Sequence, residues 1–256
     1  MLKWFTFLLI NSISINLWAQ NSLFELYQPV QAKSQAAVEQ EDYQTAIVTT
    51  EQFIQQHPKY SLAYLEQSSY AIQNRDVILL KRNIAALKSQ QIHISLDLLL
   101  AGAQLAEKKR FYQLGLEILG QASPVQAKAE AVLLQKAHLQ QKLNQQSAAL
   151  ATLQEAYNND PESSKVLQEL AAAYQNVNRR RSIQLYEALL KKEGYENLSL
   201  TALGLLYTRL YEAEPSVNNR INLVKAKEYY QQYLTHHPKD KSIQDLLKQL
   251  EILLEE

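Results

Sequence analysis

Between residues 41 and 60 the chain reads EDYQTAIVTTEQFIQQHPKY, with Ala46, Thr50 and Phe53 spaced by four and three and a proline at Pro58. That spacing sets the three side chains on one face of a helix, and the proline ends it. The arrangement returns from Asn144 as NQQSAALATLQEAYNNDPES, with Ala149, Leu153, Ala156 and Pro161. It returns again from Ile221 as INLVKAKEYYQQYLTHHPKD, with Ala226, Tyr230, Tyr233 and Pro238. Each segment predicts one helix with a small residue for close approach, larger packing residues below it, and a proline stop.

A companion helix is predicted upstream of each. VLQELAAAYQN carries Leu170, Ala171 and Tyr174, and SLTALGLLYTR carries Leu203, Gly204 and Tyr207. DLLLAGAQLAE carries Ala101, Gly102 and Leu105, and AYLEQSSYA carries Tyr64, Ser68 and Ala71. The small residue in each lets a partner backbone come near. Pro58 and Pro161 lie 103 residues apart, about three periods of 34. Pro161 and Pro238 lie 77 apart, two such periods with an excess of about nine residues. The excess falls in YEAEPSVNNRIN, 211–222, where Pro215 and Asn218-Asn219 favour a loop. A period in the mid-thirties predicts a helical solenoid.

Composition agrees with helix. Five glycines and six prolines in 256 residues are few, while Ala, Leu, Gln and Glu are plentiful. The formal net charge is zero, which argues against nucleic acid as a partner. The clusters Lys108-Lys109-Arg110 and Arg179-Arg180-Arg181 read as solvated helix ends. With no cysteine, disulfides, thiolate catalysis and thiolate zinc sites are excluded.

On these residues the units resemble tetratricopeptide repeats, with an aromatic or Leu, then Leu-Gly-x-x-Tyr, Ala, an aromatic, and Ala and Pro. The resemblance covers almost all of 23–240. It is fullest at 130–163 and 164–194, good at 27–60 and 197–240, and degenerate at 61–92 and 95–124. It implies an all-α, right-handed superhelical solenoid of about six antiparallel helix pairs. KSIQDLLKQLEILLEE, 241–256, then reads as a C-terminal capping helix, with Ile243, Leu246, Leu247, Leu250, Leu253 and Leu254 at steps of three and four. The repeat region is assigned to 20–240.

The opening segment, 1–19, belongs to neither part. One cation, Lys3, precedes an apolar run from Trp4 to Ile10, and Leu17 and Ala19 stand at minus three and minus one of a cleavage point. This is the layout of a secretory signal peptide, with an uncleaved anchor as the alternative. Cleavage after Ala19 starts the mature chain at Gln20, outside the cytoplasm and without a lipid-anchoring cysteine. The expected location is periplasmic, with secretion to the exterior as the alternative. Membrane contact is expected only through this segment before its removal. Asn197-Leu198-Ser199 matches a glycosylation sequon.

Chemistry is hard to place. His57, His236 and His237 sit at predicted helix ends, the two His-Pro copies lie about five repeats apart, and no carboxylate or third histidine stands at metal-ligand spacing. No catalytic residue, cofactor site or metal site is expected. Function is expected on the surface of the first helices, which in this family usually holds a peptide or a partner helix. Carried over unit by unit, the groove candidates are Leu62 and Leu65, Leu96 and Leu99, and Leu134, His138, Gln141 and Lys142. Lys165, Gln168 and Gln175 follow, then Leu198, Thr201 and Leu205. A leucine band flanked by Gln and Lys suits an apolar segment of a protein partner. Packing of those leucines against the adjacent hairpin is the competing reading. The resemblance and the N-terminal segment imply a non-catalytic scaffold of the cell envelope. A saccharide- or lipid-binding or enzyme-accessory protein is the alternative, as is a membrane-anchored domain regulating a membrane complex.

Overall fold

The computed structural model describes residues 21–255. The segment 1–19 lies outside the described residues. Thirteen α-helices and two short 3-10 turns follow one another, and no strand occurs among the described residues. None of these helices is long and apolar enough to cross a membrane. The chain forms two compact units, dividing after Asn144.

The first unit holds α1 (Asn21–Glu39), α2 (Tyr43–Gln56), α3 (Ser61–Gln73), α4 (Val77–Ser89), α5 (Leu96–Lys108), α6 (Tyr112–Leu119) and α7 (Glu130–Lys142). Each helix packs on the next, and α5 also touches α3 and α7. One core runs through the unit, from Tyr27, Phe53 and Tyr60 through Leu80, Ile84 and Leu87 to Leu99 and Ile118.

The turns inside the hairpins carry the period most plainly. Glu41, Arg75, Arg110 and Asn144 all have left-handed backbones, with φ of 59°, 57°, 63° and 59°. They recur at intervals of about 34 residues, the same period that the prolines keep. At three of them the helix end closes identically: the N–H of the following residue donates back to the carbonyl of Ala37, Ala71 or Ala106 at 2.9, 2.8 and 2.8 Å. Asp42 and Asp76 then start the next helix by accepting from the N–H of Thr45 and Leu79, each at 3.0 Å. None of the four is glycine, so each turn holds a side chain in a conformation that costs about 1 kcal/mol.

In the degenerate third pair, α6 has only 8 residues and ends at Gly120. Pro124 lies in the connection after it, and Gln126 ties that connection down by donating from Nε2 to the Ile94 carbonyl at 2.8 Å.

The second unit holds α8 (Gln146–Asn159), α9 (Ser164–Tyr174), α10 (Arg179–Leu189), α11 (Glu196–Ala213), α12 (Arg220–His236) and α13 (Lys241–Glu255). Counted in chain order, six helix pairs precede α13. Gly204 of α11 lies against the ring of Tyr230 on α12, so close that a Cβ there would stand 2.3 Å from Cε1. Only glycine lets these helices meet. Within 211–222 the proline and asparagines do lie in a connection, 214–219, but that connection is short. Most of the excess lengthens α11 to 18 residues and α12 to 17, against 11 to 14 for α8, α9 and α10. The connection between them is a few residues and one 3-10 turn, tied by Asn219 Nδ2 donating to the Glu214 carbonyl at 2.9 Å. Longer contact along Gly204 favours helix over loop, because each added turn buries more side-chain surface.

α13 packs on α12 as a terminal helix, but only Leu250 is fully covered among its apolar residues. Ile243, Leu246, Leu247, Leu253 and Leu254 are half-buried.

Candidate functional site

The first helices of the hairpins were expected to present leucines. In the first unit two of them, Leu65 and Leu99, are covered, as the competing packing reading has it. Leu99 is fully buried and Leu65 is 7% exposed, both within the main core, so neither is free to meet a partner. Leu62 is half-buried against the same core, and Leu96 against the cluster of Ala103, Leu119, Val132 and Leu139. On α7, Leu134 and Gln141 are half-buried while His138 and Lys142 are exposed. His138 is engaged, with Nδ1 3.2 Å from Glu107 Oε1.

The second unit keeps more of the expected residues open. Leu198 and Leu205 of α11 are 41% and 37% exposed, with half-buried Thr201 between them on one face. The Thr201 hydroxyl donates back to the Asn197 carbonyl at 3.0 Å, within its own helix. On α9, Lys165 is exposed and Gln168 half-buried, and Gln175 Nε2 donates to the Tyr186 hydroxyl at 2.9 Å.

The burial of Leu65 and Leu99 has a clear cause. Leu65, Leu99, Leu133 and Leu167 follow each other at the repeat period, and each is 7% exposed or less. A position that is apolar in every unit is a packing position, since each hairpin must fill the same gap against the next. Groove positions are those that vary. One period before exposed His138 stands exposed Gln104, which the sequence reading missed and which the same period identifies.

Gln104 lines a depression of the first unit. A cleft of about 550 Å³ opens between α3 and α5, lined by Ile72, Arg75, Ala101, Gln104, Leu105, Lys108 and Lys109. Ala101, Gln104 and Lys108 share one face of α5 at steps of three and four. Leu105 and Ile72 belong to the edge of the core and make the floor apolar. No carboxylate lines the cleft. Among the described residues, none of its three cations is in an ion pair.

The seam between α1 and α3 is closed instead by a buried polar cluster. Glu66 is 5% exposed and accepts from the Tyr27 hydroxyl at 2.7 Å and from Gln31 Nε2. Burial raises its carboxyl above the usual glutamate range, and the two donated hydrogen bonds partly offset this. Burial and the Glu66 charge together raise Tyr27 as well, and push Tyr70 up to about 12. The Ser34 and Tyr70 hydroxyls, 3.3 Å apart, complete the seam. Every member has a partner, so the cluster fastens α1 rather than offering an open acid.

Three of the five histidines end helices. His57 caps α2 with its N–H on the Phe53 carbonyl and its ring 4.5 Å from the Phe53 ring. His237 caps α12 in the same way, 4.7 Å from the Tyr233 ring. His236 is the last residue of α12. No three His, Asp or Glu side chains converge to hold a metal among the described residues. The sequon lies in the first turn of α11, with the acceptor Asn197 exposed and Ser199 fully buried.

Several solved structures share this arrangement. The C-terminal part of a TPR repeat-containing protein from Cytophaga hutchinsonii aligns with a TM-score of 0.61 at 14% identity, covering 86% of this chain and 92% of that one. YrrB, a TPR protein with an unusual peptide-binding site, aligns with a TM-score of 0.56 at 13% identity over 78% and 97%. PilW, a widely conserved type IV pilus biogenesis factor, aligns with a TM-score of 0.52 at 19% identity over 86% and 99%. No protein-family model matches the chain, and no curated protein matches it in sequence. Likeness at these identities is likeness of fold, and the fold of this chain is the all-α helical repeat of tetratricopeptide proteins.

Proposed function

We propose that the protein is a non-catalytic scaffold of the bacterial cell envelope. It holds a peptide or helix of a protein partner on the open faces of its first helices. The observation that carries this reading is the cleft between α3 and α5, with an apolar floor, an amide at Gln104 and cations at its end. Such a surface takes an extended segment: apolar side chains fill the floor, and polar groups fix its direction. Tyr27, Glu66 and Tyr70 of the α1–α3 seam are each hydrogen-bonded into structure, which suits fastening of α1 rather than acid or base chemistry. The envelope assignment rests on the layout of residues 1–19, a basic residue, an apolar run and a small residue at the cut. Service to an assembly such as a pilus, a secretion apparatus, or outer-membrane or cell-wall machinery is consistent with that location. PilW, of similar fold, is a pilus biogenesis factor.

A photoreactive amino acid at Gln104, compared with the same group at Ile78 on α4, tests the surface. Both positions are exposed, but only Gln104 borders the cleft. Expression in a bacterial envelope should give a discrete cross-linked protein band from Gln104 and none from Ile78. Equal labelling from both positions, or none from Gln104, overturns the reading. Mass measurement of the mature chain should find Gln20 at its start, and a chain retaining Met1 would show an anchored form.

A further inference from the structure

The cations around the α3–α5 cleft are not engaged in holding the fold. The carbonyls at both helix ends accept from backbone: Ala71 from the Asp76 N–H at 2.8 Å, Leu105 from the Lys109 N–H at 3.1 Å, and Ala106 from the Phe111 N–H at 2.8 Å. Arg75, Lys108 and Lys109 are therefore not needed as side-chain caps. Elsewhere in the unit Lys81 is neutralised by Glu117 and Arg82 by Glu51. Arg75 extends from the turn after α3, and the two lysines from the end of α5, so positive charge reaches the cleft from both of its walls.

We infer that this cleft selects an acidic peptide segment, in which carboxylates flank an apolar side chain. The inference rests on the scaffold reading and names the chemistry of its partner. The apolar side chain lies on Ile72, Ala101 and Leu105, and the carboxylates meet Arg75 on one wall and Lys108 and Lys109 on the other. The zero net charge of the chain supplies no wider basic field for nucleic acid or anionic lipid, so recognition is local.

Fluorescence anisotropy with the full mature chain tests this, using a labelled synthetic peptide of leucines set among glutamates and its glutamine counterpart. The glutamate peptide should bind about 10-fold more tightly at low ionic strength, and the advantage should shrink toward 0.5 M salt as screening grows (about 4 Å Debye length). Arg75→Gly is the decisive variant. Its φ of 57° suits glycine, so the turn relaxes while the charge is lost. Thermal stability should hold or rise while affinity for the glutamate peptide falls about 3- to 10-fold, and Lys108→Gln should act likewise.

Equal affinity for the two peptides, or wild-type affinity in both variants, overturns the inference. Binding to phosphatidylglycerol vesicles that needs Arg75 would overturn it in favour of lipid. A specific cross-link at Gln104 combined with indifference to peptide charge leaves the scaffold reading standing and removes only the acidic preference. Loss of the Gln104 cross-link removes the scaffold reading itself.

Discussion

The first helices of the two units bury leucine at matching positions and differ in what they leave open. In α3 and α5, Leu65 and Leu99 are buried and the open edge is polar and cationic, from Gln104 to Lys108. In α11, Leu200 and Leu203 are buried, while Leu198 and Leu205 remain open on the other side. A repeat therefore constrains the residues that join its helices and leaves its outward face free to differ. The first unit has a shaped cleft with charge around it, and the second has an apolar strip on one helix. Two such surfaces on similar hairpins suit different chemistries of contact.

The sharpest way to break this comparison is to truncate one leucine from each side. Leu99→Ala should cost about 3 kcal/mol, because the side chain is wholly enclosed and its removal leaves a cavity. Leu205→Ala should stay within about 0.5 kcal/mol. Urea denaturation of both variants checks this, and similar costs would mean that the two helices do not differ as described.

Glycine gives a second contrast. Gly204→Ala drives a methyl into the Tyr230 ring and should destabilise by about 2 kcal/mol. At Gly102 an added Cβ meets flexible side-chain ends, Leu80 Cδ2 at 3.1 Å and Ile118 Cγ2 at 3.2 Å. There the helix-propensity gain of about 1 kcal/mol should nearly cancel the crowding. Melting temperatures of the two variants measure the difference.

A smaller effect separates the units by pH. The folded Glu66 carboxyl is raised above its unfolded value, chiefly by burial. Its contribution to stability is fully present below the unfolded value and is lost as pH rises through the raised folded one. Glu66→Gln should flatten the fall in stability above the usual glutamate range while keeping the Tyr27 hydroxyl hydrogen-bonded. Thermal melts from pH 4 to 8 read it, and a variant as pH-sensitive as the parent in this window would show that Glu66 is not its source. The smallest change is expected at the turns. Glu41→Gly and Arg110→Gly relieve a left-handed backbone and should each stabilise by about 0.5 kcal/mol, after the greater freedom of unfolded glycine is subtracted.

Much of this architecture was legible in residue spacing. The prolines, the small residues one helix face away, and the apolar positions repeated once per unit all express one requirement, that identical gaps be filled by similar volumes. What spacing did not show at 211–222 is how the extra residues divide between loop and helix. Pro215 and Asn218-Asn219 signal a break, but α11 and α12 run almost up to it from both sides. Local propensity reports where a helix can end, and packing along the hairpin decides how far it extends.

Sequence by itself determined the all-helical hairpins, their number and the reading of His57 and His237 as helix ends, because backbone geometry and side-chain period are local properties. Only the tertiary structure decided which leucines are covered, that Glu66 lies buried under Tyr27, and that Arg75 in the turn after α3 and Lys108 at the end of α5 face one cleft. Burial depends on what neighbouring helices leave open, and no single helix encodes that.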